Sequence, residues 1–311
     1  MKKFFLKLFI YSLLISLIIL GLNALYIQKE NDGTRKFTDG VPNNIQVCNF
    51  GSSHGLSGFN YEDAERKYTC FNFALGSQTL LYDYKVFINY KDKIQKGAKV
   101  FLLASYFSFF GVPDVQDRQF ASKNKRYYKF LSPDLIEQYD TKTNFYVNYF
   151  PSLAADDLVS FFRVIMPKAP TNNAVHSINP AQAKGIARHT CIRHITQHTD
   201  INGQRIYNHE AIKALYDLIN LCREIEAEPI LITMPYLHEY VNEVEQGDPE
   251  FFNDFYSIIN EVTQKTGIKY YDYARDERYT SNYALFSDTD HLNKNGARKF
   301  TNDILREVAG L

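Results

Sequence analysis

The chain contains no tryptophan, and neither sign of charge is in excess: Lys plus Arg number 35 and Asp plus Glu number 35 in 311 residues. Balanced charge gives no long-range field for a polyanion, which removes nucleic acid from the expected partners. No internal repeat is visible, and there is only one long uncharged apolar run. There are four cysteines, Cys48, Cys70, Cys191 and Cys222, and their spacing alone does not separate paired from buried free thiols. What is abundant is Tyr (23) and Phe (24), within a composition that is 45% hydrophobic. That is enough apolar material for one large domain.

The apolar run is N-terminal. Lys2, Lys3 and Lys7 precede uncharged residues 8–27. Twenty helical residues cover the roughly 30 Å of a bilayer's hydrocarbon core. A cleavable leader has a shorter apolar centre and a small-x-small exit, for which Leu22-Asn23-Ala24 is a poor match. The expectation is an uncleaved signal anchor over 1–27. Its lysines would stay cytoplasmic, leaving the rest of the chain outside as a single-pass cell-membrane protein. A polar linker, 28–44, would lead into an extracytoplasmic domain, 45–311.

Beyond the linker, strand-like and helix-like segments alternate. Strands are expected at 45–50, 68–75, 98–105, 229–236 and 268–274, and helices at 77–96, 208–228, 249–267 and 293–309. Residues 106–207 interrupt the alternation with aromatic, irregular sequence that has short helices near 132–139 and 154–165, and read as an insertion. The pattern implies an α/β fold with a doubly wound, parallel five-stranded sheet. The working crevice of such a sheet lies beyond the carboxyl ends of its strands.

Two stretches carry chemistry. Gly51-Ser52-Ser53-His54-Gly55 follows the first strand and fits G-x-S-x-G, a turn in which the glycines permit a strained strand-to-helix bend that exposes the central serine. On its own it is also compatible with an ordinary Gly/Ser turn. Near the other end, Asp288-Thr289-Asp290-His291 precedes the last helix. A serine hydroxyl needs an imidazole to take its proton, and the imidazole needs a carboxylate to fix its tautomer. An Asp and a His three residues apart on one loop can supply both. Asp290 is the rival acid, although adjacency to His291 would point the two side chains apart in most loops.

In the α/β-hydrolase pattern the serine comes well into the chain, and its acid and base lie on separate loops. Here the serine comes first and acid and base share a late loop. Through Phe50–Gly55 and Asp288–His291 the chain resembles the SGNH (GDSL-like) hydrolases, with their flavodoxin-like strand order. The resemblance covers roughly 45–75, 97–106 and 208–309. The N-terminal anchor and Ser287–Thr301 make it similar to the membrane-anchored, DltD-like branch, which works beside membrane-bound O-acyltransferases on cell-wall or exopolysaccharide substrates. The resemblance implies Ser53 as nucleophile, His291 as base and Asp288 as its orienting acid. It also implies the backbone N–H groups of Ser53 and Gly76 as oxyanion donors. The family's third-block asparagine has no counterpart; Ser105 and Tyr106 stand at the corresponding strand end. No metal or cofactor is expected.

Other residues carry two readings. His54 could contact substrate or the acid loop, or merely cap the following helix. His189, Cys191, His194 and His198 are spaced as zinc ligands can be, or simply decorate a polar helix. Tyr236 and His238 could shape a substrate pocket or only pack. The aromatic stretch 105–113 could meet a membrane or partner, or form a core edge. The functional expectation is an extracytoplasmic serine-dependent acyl-ester enzyme, an acyltransferase or esterase acting on O-acyl groups of a polysaccharide. Its alternatives are a plain carbohydrate esterase and a non-catalytic scaffold for a membrane-bound O-acyltransferase.

Overall fold

The computed structural model describes residues 1–30, 33–166, 176–196 and 198–311. Parts of the expected linker (31–32), of the insertion (167–175) and of the His-rich stretch (197) lie outside the described residues. The chain divides into two compact units, Met1–Asp39 with Gln119–Thr171, and Gly40–Arg118 with Asn172–Leu311. The division differs from the expected boundaries: among the described residues, 106–118, 176–196 and 198–207 group with the sheet.

In the first unit the N-terminal helix runs Lys2–Lys29. Among the described residues it is the one helix long and apolar enough to cross a membrane. Its last turns are held by the later segment. Asn23 donates from its side-chain amide to the Tyr149 carbonyl (3.0 Å) and accepts from the Ser152 N–H (3.1 Å) and hydroxyl (2.8 Å). Within 28–44, Phe37 is buried and stacks on Phe130 with ring centres 4.1 Å apart, so this stretch is packed rather than a bare tether.

The second unit is built on a five-stranded, all-parallel sheet: β1 (Ile45–Phe50), β2 (Cys70–Asn72), β3 (Ile94–Leu103), β4 (Glu228–Thr233) and β5 (Tyr270–Asp272). Its longer helices, with the short one after β1, are α1 (Ser53–Gly58), α2 (Leu80–Tyr90), α3 (Pro180–Thr196), α4 (His209–Glu224), α5 (His238–Gly247), α6 (Glu250–Thr266) and α7 (Lys294–Ile304). Asn208 caps α4 by accepting from the Ala211 N–H (3.0 Å), and Gly267 closes α6 in the left-handed conformation its missing Cβ allows. β3 starts earlier than its apolar core suggests. Gly97 at φ +78° absorbs a register irregularity between the Ile45–Ile94 and Val47–Lys99 pairings, so polar Gln95 and Lys96 lie in the strand rather than in a helix tail.

Strand alternation separates two apolar layers. Val47, Phe101, Leu103, Ile230 and Ile232 pack with Ala297, Phe300 and Ile304 of α7. On another side Phe50 stacks on Phe73 and on Phe87 of α2, both at 4.8 Å. The sheet order is β2-β1-β3-β4-β5. The chain leaves β1 toward one edge and builds β3 on the other side, which makes β1 and β3 a switch point with a crevice beyond their carboxyl ends.

Candidate active site

The crevice opens where β1 gives way to α1. Gly51 has φ +144°, and a Cβ there would sit 2.9 Å from the Leu103 Cβ on the neighbouring strand. Its N–H donates to Asp83 Oδ1 (2.8 Å), a buried carboxylate that also takes the Gln78 side-chain amide (2.6 Å). Gly55 is equally constrained: a Cβ would meet the Ala74 Cβ at 2.9 Å and Asn49 Nδ2 at 3.3 Å. The two glycines of G-x-S-x-G therefore let the turn press against β2 and β3, with half-buried Ser53 at the first position of α1. Two asparagines clamp the turn from below. Asn49 and Asn72 share a hydrogen bond (3.0 Å), and both donate to the Gly55 carbonyl (3.2 and 3.0 Å).

The acid loop reaches Ser53 from the far end of the chain. His291 Nε2 lies 2.8 Å from Ser53 Oγ, although 238 residues separate them. His291 Nδ1 donates to both carboxylate oxygens of Asp288, each at 3.0 Å. Asp288 Oδ1 also accepts the backbone N–H of Asp290 (3.0 Å) and of His291 (2.8 Å), so the carboxylate that orients the imidazole also shapes its loop. The loop is closed at its base by an antiparallel bridge between Phe286 and Leu292. Ser53, His291 and Asp288 thus form one continuous hydrogen-bonded line.

Beneath that line lies a second, buried pair. Asp290 is not turned away from His291 as adjacency suggests. The tight loop brings its Oδ1 to 3.4 Å from His291 Nδ1, while Oδ2 lies 3.1 Å from His54 Nε2. His54 Nδ1 in turn meets Ser105 Oγ at 2.7 Å. Asp290 is thus a buried carboxylate between two imidazoles. Burial opposes its charge, but hydrogen bonds from His291 and His54 outweigh that and hold it well below the ordinary carboxylate value. Burial also pulls His291 down. The hydrogen bonds to Asp288 and Asp290 outweigh it and push the imidazole up to about 10. His54 goes the other way: its complete burial lowers it, and the bond to Asp290 compensates only in part.

A scan against family models and a search of curated proteins find no match to this chain.

The remaining expected site residues separate into those at the crevice and those behind it. His54 contacts the acid loop through Asp290. Ser105 sits at the carboxyl end of β3 but does not offer its N–H, which donates to Ser108 Oγ (2.8 Å), while its hydroxyl faces His54. Tyr106 is fully buried against Tyr236, Phe252 and Phe255, with its hydroxyl 3.3 Å from that of Tyr256. The Ser105 N–H and the Tyr106 hydroxyl thus both meet partners within the protein. Tyr236 is buried as well, with its hydroxyl 3.5 Å from His54 Nδ1, and supports that ring from behind. Gly76 lies in the turn after β2.

His238 is half exposed and bonds the Thr280 carbonyl (3.1 Å). In 105–113 the rings of Tyr106, Phe109 and Phe110 are buried, so that stretch is a core edge. The four cysteines are free and buried.

The zinc-like spacing does not converge. His194 bonds the Tyr240 hydroxyl (2.7 Å), His198 bonds back to the His194 carbonyl, and His189 is exposed. Among the described residues the group that could hold a metal is His54, Asp290 and His291, whose ligand atoms lie within 4.8 Å of one another. Those atoms already serve each other as donors and acceptors. Sequence reading missed Asn49, Asn72 and Asp83. Asn49, a polar residue between apolar Cys48 and Phe50 at the carboxyl end of β1, was the signal available.

Proposed function

We propose that this protein is a serine-dependent acyl-ester enzyme with Ser53 as nucleophile. The observation that carries the reading is the 2.8 Å approach of His291 Nε2 to Ser53 Oγ, with the opposite ring nitrogen on Asp288. A hydroxyl so placed can pass its proton to the imidazole as it attacks an acyl carbonyl, and Asp288 stabilises the imidazolium that forms. The developing oxyanion meets the N–H of Ser53, one of the first-turn donors of α1 that have no partner inside the helix. His291 then returns the proton to the leaving alcohol, and an acyl-Ser53 ester remains. Water or a sugar hydroxyl, deprotonated by the same imidazole, completes hydrolysis or transfer.

The sheet order, the serine directly after the first strand and the Asp-x-x-His loop before the last helix support a relationship to SGNH hydrolases. The apolar N-terminal helix supports the membrane-anchored, DltD-like branch and an O-acylated polysaccharide as substrate. Incubation with p-nitrophenyl acetate, followed by acid quench and peptide mass spectrometry, tests the reading. An acetyl group on Ser53, formed in a burst of p-nitrophenol and discharged faster when a polysaccharide acceptor is added, supports acyl transfer. Discharge at one rate with or without acceptor supports a plain esterase. The engaged Ser105 N–H favours a second reading, a non-catalytic scaffold for a membrane-bound O-acyltransferase. That reading requires Ser53 to stay unacylated.

A further inference from the structure

We propose that the segment 149–166 rests in the lipid headgroup layer at the carboxyl end of the N-terminal helix, as a second membrane contact independent of the chemistry at Ser53. The segment presents large apolar side chains to solvent: Tyr149 (65% exposed), Leu153, Leu158 (74%), Val159, Phe162 and Met166 (62%). Leu158, Phe162 and Met166 follow at four-residue intervals, which puts them on one face of the helix Leu158–Ile165 and its exit. A cluster of this kind on a folded unit marks a surface meant to be covered.

Continuity with the N-terminal helix argues for lipid as the cover. Asn23 holds the backbone of Tyr149 and Ser152, and Tyr26 stacks on Phe161 at 5.8 Å, within the same unit. Asn23 lies four residues inside the end of the uncharged run, about 6 Å at 1.5 Å per residue. If residues 8–27 fill the hydrocarbon, 149–152 is fixed near its boundary, the depth at which amphipathic faces and tyrosines partition. The exposed face thereby extends the lipid-facing surface of the helix itself.

The absence of tryptophan provides a clean probe, since Phe162→Trp introduces a single indole at a half-exposed site. The full chain would be reconstituted in phosphatidylcholine nanodiscs, with and without bromine at acyl carbons 6 and 7. Thermal unfolding would confirm that the variant is folded. The expected result is at least a twofold loss of emission in the brominated discs, with weak quenching by aqueous acrylamide. Leu158→Trp should behave alike, and Leu14→Trp in the spanning run should be quenched by deeper bromines. Emission from both Phe162→Trp and Leu158→Trp that ignores bromine but falls with acrylamide would overturn the proposal. That outcome would assign the face to a protein partner.

Discussion

Replacing Asp290 by Asn keeps the volume and removes the charge that two imidazoles share. In the wild-type chain Asp290 accepts from His54 at 3.1 Å and faces His291 Nδ1 at 3.4 Å. An asparagine can accept from one ring, but its amide then presents N–H groups to the other ring's N–H. A hydrogen bond to a charged group contributes about 1.5–3 kcal/mol, and a buried donor left unmatched costs about 1–3 kcal/mol. A loss of about 2–4 kcal/mol is therefore expected, seen as a Tm lower by about 5–15 °C at pH 7.5 in detergent. The sign with pH follows from the depressed carboxylate. Its contribution is in place above the value of an unfolded aspartate, near 4, and disappears as the pH falls through the lower folded value. The gap between wild type and variant should therefore close on strong acidification.

The same substitution moves the chemistry. His291 acts as a base only when unprotonated, and it is held up toward about 10, so Ser53 acylation in the wild type should climb with pH well past 6.5. Removing one of its two carboxylates should bring that limb down by about one unit or more, the usual effect of an opposite charge at this range. The assay is the second-order rate of fluorophosphonate labelling at pH 6 to 10. An unchanged Tm together with an unmoved limb would refute the argument and leave Asp290 a bystander.

Asp288→Asn should slow labelling of Ser53 by about two to four orders of magnitude, with far-UV circular dichroism unchanged, because the imidazole loses its orienting acceptor. Gly55→Ala should destabilise the fold by about 1–3 kcal/mol, since the added methyl meets Ala74 at 2.9 Å; urea unfolding would show a lower midpoint at equal slope. Dialysis against a chelator should leave labelling of Ser53 unaltered, because the atoms that could ligate a metal already bond to each other; loss restored by a divalent ion would contradict this. Asn23→Leu removes three hydrogen bonds to Tyr149 and Ser152 and leaves buried donors unmatched, so limited proteolysis should cut 141–166 more readily.

Much of the frame was legible in the sequence because its signals are local. β1 ends at Phe50, Asn208 caps α4, and Gly267 closes α6, each by chemistry contained in a few residues. The start of β3 was not legible, because the Gly97 irregularity is set by pairing with β1. The 17-residue helix α3 was read as irregular sequence with a polar helix near its end, since its polar and apolar residues show no clean helical period. At the site, residue types and order along the chain pointed to Ser53, Asp288 and His291. A contact of His54 with the acid loop was one of the open readings, but Asp290 as its partner was not legible, because the two meet across 236 residues and only the closed acid loop turns Asp290 inward. Ser105 carried a plausible position but not its orientation, which the bond to His54 fixes.

The most direct measurement is site-resolved mass spectrometry of the membrane-reconstituted chain after brief exposure to a fluorophosphonate at pH 8.5. The account predicts one adduct, on Ser53, absent in Ser53→Ala and slowed at least a thousandfold in His291→Ala while both variants melt as folded proteins. Modification of another serine, or equal labelling of Ser53 without His291, would contradict it.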